Sequence, residues 1–216
     1  MTIQYIIYHI LIVLSVILSF VAIYNGHKRY LPLLLVLIFT ELVEITAQFS
    51  VLKNLSFVWL YHVFVFIEYS FLALYLRLSI QVHKVKILIS LSIPVFIVFS
   101  LLISRYFYHF MDFPGINIST EGLLLFVFCT VLLFNLEVVE NESVFFNPDV
   151  WIVVGILIFY GGTFFYNGVF TKLLEMDPDK ALKLFGVINK PLNLCLYTFI
   201  NIGLVCLLKR KRYIMQ

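Results

Sequence analysis

The chain has 216 residues, 62% of them apolar and 12% charged, with a formal net charge of +3 and a mean hydropathy of +1.04. A soluble domain carries about 45–50% apolar and about 25% charged residues, so fifteen basic and twelve acidic side chains are too few to cover a water-facing surface of this size. The composition excludes a water-soluble fold and fits lipid, where an apolar exterior carries no penalty; at about 20 residues per crossing, the length holds seven spans and leaves no room for a sizeable soluble domain.

The first predicted span covers residues 5–24. No Lys or Arg precedes it and its apolar run is longer than a signal peptide's, so it is expected to stay in the mature protein. A compact basic turn, Asn25 to Arg29, leads to the second span, 31–49, with Pro32 in its first turn, where a missing N–H costs nothing. The third span is 57–79. Arg77, His83, Lys84 and Lys86 surround the following turn. The fourth, 87–104, holds Pro94 near its middle, where a kink and a freed carbonyl are expected. Residues 105–119 read as an aromatic loop around the turn pair Pro114-Gly115.

The fifth span, 120–138, ends at the polar run from Glu140 to Ser143. Asn147-Pro148-Asp149 reads as the start of the sixth, 150–170. Residues 171–190 read as the longest connection, with a short interfacial helix over 178–185. The seventh span, 191–208, runs into Lys209-Arg210-Lys211-Arg212, a cytoplasmic anchor. With the N-terminus outside, nine Lys and Arg side chains fall on the inner side and six on the outer, four of these in the one long connection. The positive-inside bias therefore predicts an all-α integral membrane protein, a single seven-transmembrane-helix bundle with its N-terminus outside and its C-terminus cytoplasmic.

Ionisable groups at mid-membrane cost at least about 2.5 kcal/mol each and are functional candidates for that reason. Glu41, Glu44 and Gln48 recur at one face of the second span; Tyr61, Glu68 and Tyr75 share a face of the third, with His62 beside Tyr61. Counting along the helices puts Glu41 and Glu68 at one depth, about 15 Å from an aqueous edge, where two carboxyls brought together would leave one serving as a hydrogen-bond donor. Asn193, Tyr197 and Asn201 form a polar stripe on the seventh span. Glu41, Glu44, Gln48, Tyr61, His62, Glu68, Tyr197 and Asn201 thus stand as a ligand or proton pathway, with interhelical hydrogen bonding the structural alternative for the same groups. Gly155 and Gly162, seven apart, and Gly161 make a smooth surface for close helix packing.

Cys129, Cys195 and Cys206 lie inside apolar segments at no metal-ligand spacing and read as small apolar fillers. No paired-histidine spacing, nucleotide-binding loop, kinase signature or nucleophile elbow is present, so neither a metal site, a cofactor, a catalytic residue nor nucleic-acid binding is expected.

Tyr61-His62, Glu68 and Phe71-Leu72 in a span entered through Lys53-Asn54-Leu55, together with Phe146 to Trp151 leading to Gly155 and to Tyr160-Gly161-Gly162-Thr163, resemble small bacterial seven-helix membrane modules. Such modules occur alone or ahead of sensor histidine kinases. The resemblance implies a sensory input role, a bacterial inner-membrane location, and Glu68 and His62 as the matched polar positions. It departs at the end: only residues 213–216 follow Arg212, so output is expected to pass to a separate protein on the cytoplasmic side. The bilayer and a second copy of the chain are the other expected partners. A receptor-like module that senses a small ligand or lipid is the first expectation. The alternatives are a small transporter, channel or pore-forming effector using the buried carboxylates, and a membrane scaffold subunit.

Overall fold

The computed structural model describes residues 3–53, 58–107, 112–136 and 144–214. Among them lie seven α-helices: α1 (Ile3–Tyr24), α2 (Leu31–Leu52), α3 (Val58–Ser79), α4 (His83–Tyr106), α5 (Gly115–Phe134), α6 (Pro148–Met176) and α7 (Pro178–Ile214). All seven are long and apolar enough to cross a membrane. Many of their large apolar side chains face outward, where a soluble bundle would carry polar ones. On α1, Ile6, Ile10, Leu14, Ile17 and Phe20 point outward, while Tyr8, Ile12, Ser15, Ser19 and Ala22 are buried. Large aliphatic groups gain nothing by leaving lipid, whereas small residues let backbones approach; the periodicity therefore sorts by size and polarity. α4 follows the same rule, with Leu88, Leu91, Val95 and Leu102 outward and Ile89, Phe96, Ser100 and Ser104 inward.

The helices alternate in direction. We call the end that carries the start of α1 and the α6–α7 corner the upper end. Neighbours in space are α1–α2, α2–α3, α3–α5, α5–α6, α6–α7 and α7–α1, a closed ring of six, with α4 seated outside against α3 and α5. At the lower end, Gly26 at φ +95° turns the chain sharply into the 3-10 turn Lys28–Tyr30. α6 is started by Asn147, whose side chain accepts from the Asp149 amide, with Pro148 at its first position.

Two boundaries depart from the sequence expectation. α5 begins at Gly115, inside the stretch read as a loop. The helix expected over 178–185 is present, but the connection around it, read over 171–190, is a helical corner: α6 continues to Met176 and α7 starts at Pro178, with Asp177 alone between them. The Asp177 carbonyl and carboxylate accept from the Ala181 and Lys180 amides, and Lys180 Nζ closes an ion pair at 2.8 Å. The hydrogen bonds from Lys180 hold the Asp177 carboxyl below its ordinary range. Packing keeps the added turns helical. Tyr166 donates to the Ala181 carbonyl at 2.7 Å, and Phe113, Phe170 and Phe185 pack ring against ring. α7 passes through Pro191 without a break, so residues 178–190 form a rigid arm above the span.

α6 and α7 pack closely through glycines on both. A β-carbon at Gly155 would stand 2.8 Å from Phe199 Cβ and 3.2 Å from the Leu196 carbonyl, and one at Gly162 would stand 2.7 Å from the tip of Leu192. Gly203 answers from α7, against the Pro148 carbonyl and Ile152. Gly161 faces the other way, toward Phe126 of α5.

Candidate functional site

Inside the ring, in its upper half, lies a cavity of about 330 Å³. Every ring helix contributes to its wall and, among the described residues, α4 does not: Tyr8 from α1, Glu44 from α2, Tyr61 and Glu68 from α3, Ile118 from α5, Tyr160 from α6 and Tyr197 from α7 are representative. The arm of α7 roofs it with Leu182, Phe185 and Asn189. A second chamber of about 230 Å³ shares Tyr8, Glu44, Tyr61 and Asn193 with the first and continues to Gln4 and Lys190 at the upper end. Below Glu68 the interior is closed by Leu76, Ile152, Ile156, Ile200 and Leu204, all fully buried. Among the described residues the cavity ends on packed apolar side chains below and continues toward the upper end through the second chamber.

The helix registers explain which side chains meet here. Glu44 lies two turns before the end of α2 and Glu68 about 15 Å into α3; both are half-buried and open to the cavity. Glu44 lies against the Tyr8 hydroxyl, and the Tyr8 and Tyr197 rings meet edge to face at 5.5 Å. Glu68 lies beside the Tyr160 hydroxyl, which has no hydrogen-bond partner of good geometry among the described residues and is 2% exposed. Behind Glu68, within Coulombic reach, sits Glu121 of α5, 0% exposed, neither carboxyl oxygen having a partner among the described residues.

Of the eight pathway candidates, Glu44, Tyr61, Glu68 and Tyr197 line the cavity, and the other four are not among its walls. Glu41 does not face Glu68. Both of its oxygens accept from His9 Nδ1, at 2.9 and 3.0 Å, which clips α2 to α1, and Gln48 reaches the other His9 nitrogen at 3.4 Å. His62 turns outward from the ring. Its Nε2–H donates to the Asp112 carbonyl at 2.9 Å and its Nδ1 lies 3.2 Å from Ser104 Oγ, which also accepts from Asn117. Asn201 donates to the Leu11 carbonyl across the α1–α7 contact and to Tyr197 within its own helix. For these four the interhelical hydrogen bond is the role the geometry displays.

No family model, curated protein or solved structure matches the chain. Function therefore rests on the geometry of the site itself.

Sequence reasoning passed over Glu121, because a fifth span starting at residue 120 puts it at the water interface. The signal was Pro114-Gly115, six residues earlier, which starts the helix and draws Glu121 into its second turn. It also missed the lower cluster. There Asp149, 4% exposed, pairs with Arg29 at 3.0 Å and accepts from the Tyr30 and Tyr75 hydroxyls at 2.9 and 3.0 Å. Three elements, the 3-10 turn, α3 and α6, are tied together where the cavity is closed. Among the described residues no three His, Cys, Asp or Glu side chains converge as metal ligands would. Lys209 is exposed at the lower end of α7; the side chains of Arg210, Lys211 and Arg212 lie outside the described residues.

Proposed function

We propose that the chain is a non-enzymatic, receptor-like module of the cell membrane, of the bacterial inner-membrane type, which takes a small ligand into the cavity from the outer face. The observation that carries this reading is the cavity itself: a chamber of about 330 Å³ walled by all six ring helices, with two carboxyls and a wall of aromatic rings. Ligand pockets typically enclose about 300–1,000 Å³ with a few polar groups in an apolar wall. Occupancy would bias the packing of the ring helices, as a ligand shifts any two-state equilibrium in proportion to its differential affinity. A protein on the cytoplasmic side, or a second copy of the chain, reads the change at the basic lower end. The Lys and Arg distribution supports N-terminus out and C-terminus in, and the resemblance to seven-helix sensory modules supports the same role.

Purified protein in lipid nanodiscs provides the test. Small molecules extracted from the wild type are compared with those from Asn193→Trp, which plugs the passage between the two chambers. A molecule enriched in the wild type and lost from the folded variant is the expected result. Identical extracts, with no molecule enriched, would refute the reading.

A carrier is the second reading, and the Asp149–Arg29–Tyr30–Tyr75 cluster favours it: a polar closure of the lower end can break and re-form as an alternating gate does. Gradient-driven flux in proteoliposomes that disappears in Glu68→Gln would promote the carrier over the receptor.

A further inference from the structure

We infer that the cavity selects a small organic cation, an amine or quaternary ammonium with one apolar body, whose head is held between Glu44 and Glu68. This rests on the ligand-binding reading above and adds the chemical class.

Charge is the first ground. Two carboxyls line the inner chamber, and no Lys, Arg or His is among its described lining residues. His9, the basic side chain that acts on Glu44, already gives its Nδ1–H to Glu41. Lys190 stands in the outer chamber, nearer the mouth. A buried carboxylate without a cation is costly, and a ligand that brings the cation removes that cost.

The wall is the second ground. Nine of the 22 residues around the chamber are Phe or Tyr. Their faces attract a cation through the ring quadrupole, most strongly where water is excluded. An anion there would meet two carboxyls, no basic side chain among the described lining residues, and the negative faces of the same rings. The bulk of an apolar body fits against Phe64, Phe159 and Leu196.

The third ground is a buried polar group beside Glu68. The Tyr160 hydroxyl is buried, borders the chamber beside Glu68 and has no partner of good geometry among the described residues. It is placed to accept from an ammonium N–H while its own O–H stays toward Glu68. Size bounds the guest. At about 330 Å³ the chamber holds one ring or a short chain with its headgroup and excludes a two-chain lipid.

The test titrates the full chain in nanodiscs, against empty nanodiscs, with benzyltrimethylammonium and with benzyl alcohol and benzylsulfonate as neutral and anionic counterparts. The ammonium is expected to bind saturably and about tenfold or more tighter than either counterpart, a gap of about 1.4 kcal/mol. Glu68→Gln and Glu44→Gln, each checked for a monodisperse profile, should reduce that preference to about threefold or less. Equal or tighter binding of the alcohol or the sulfonate overturns the cation assignment, as does an unchanged preference in both folded Gln variants. If the neutral or anionic probe binds and Asn193→Trp abolishes it, the cavity remains a ligand site and only the cation class falls. If no probe binds, both fall.

Discussion

Asp149 is the most heavily committed single residue in the molecule. It is buried in the first turn of α6, where the helix dipole favours a negative charge, and it serves Arg29, Tyr30 and Tyr75 at once. Asp149→Ala removes the acceptor of two buried hydroxyls and the counter-charge of Arg29, which still donates to Tyr30. The expected loss is about 2–4 kcal/mol, below the full cost of breaking a buried pair because Arg29 is partly exposed. Asp149→Asn keeps an acceptor for the tyrosines and should cost about 1–2 kcal/mol. The unfolding midpoint in detergent reads both; equal losses for the two variants would mean that charge contributes nothing. This cluster shows where residue-level reading stops. Asn25 to Arg29 is legible as a turn and Asn147 to Asp149 as a helix start, yet nothing local says that positions 119 apart, Tyr30 and Asp149, will meet. Glu44 and Glu68 were legible, because a carboxyl in an apolar run announces itself. Their partners were not: counting put Glu41 at the depth of Glu68 but could not show that it would meet His9.

At the scale of elements, the α6–α7 pair separates two kinds of close glycine. At Gly155 and Gly203 an added methyl meets atoms that cannot swing away, Phe199 Cβ and the Leu196 carbonyl in one case and the Pro148 carbonyl in the other. At Gly162 it meets the end of a leucine. Gly155→Ala and Gly203→Ala should each cost about 1–3 kcal/mol by forcing the helices apart, while Gly162→Ala should stay within about 1 kcal/mol as Leu192 changes rotamer. Ranking the three unfolding midpoints checks the contrast, and a costlier Gly162→Ala would contradict the packing described. The spacing of Gly155 and Gly162 was readable as a smooth stripe; which helix lay on it was not. The arm of α7 was legible in part: a short helix was expected over 178–185, but not its continuity with the span. Lys190 and Pro191 read as a break by composition, while the Asp177 cap, the ring cluster around Phe185 and the Tyr166–Ala181 hydrogen bond keep residues 178–190 helical. Phe185→Ala should therefore raise amide exchange over residues 178–190 while leaving α1–α6 protected, since the arm loses its anchor and the ring of helices keeps its own.

The whole molecule couples two facts that can be measured together. The mouth of the cavity and the start of α1 lie at the same end of the ring, because α1 descends from that end and α7 returns to it before descending. On the ligand-binding proposal, whichever side of the membrane holds the N-terminus also supplies the ligand. The fold class was readable from hydropathy alone, since every backbone group in lipid must be satisfied within its own helix and spans of that length leave no other architecture. The orientation rests on a weaker quantity, nine basic residues against six, and the position of the mouth could not be read at all until the helices were packed. With the N-terminus outside, Lys183→Cys on the arm is expected to react with a membrane-impermeant maleimide on intact cells, and Lys84→Cys at the start of α4 only after permeabilisation. Both positions are exposed, and the native Cys129 is buried while Cys195 and Cys206 sit within the α7 span, so the background should be low. The reverse pattern would turn the cavity toward the cytoplasm. A receptor for external cations would then be excluded, and the same acidic, aromatic chamber would have to draw its guest from inside the cell.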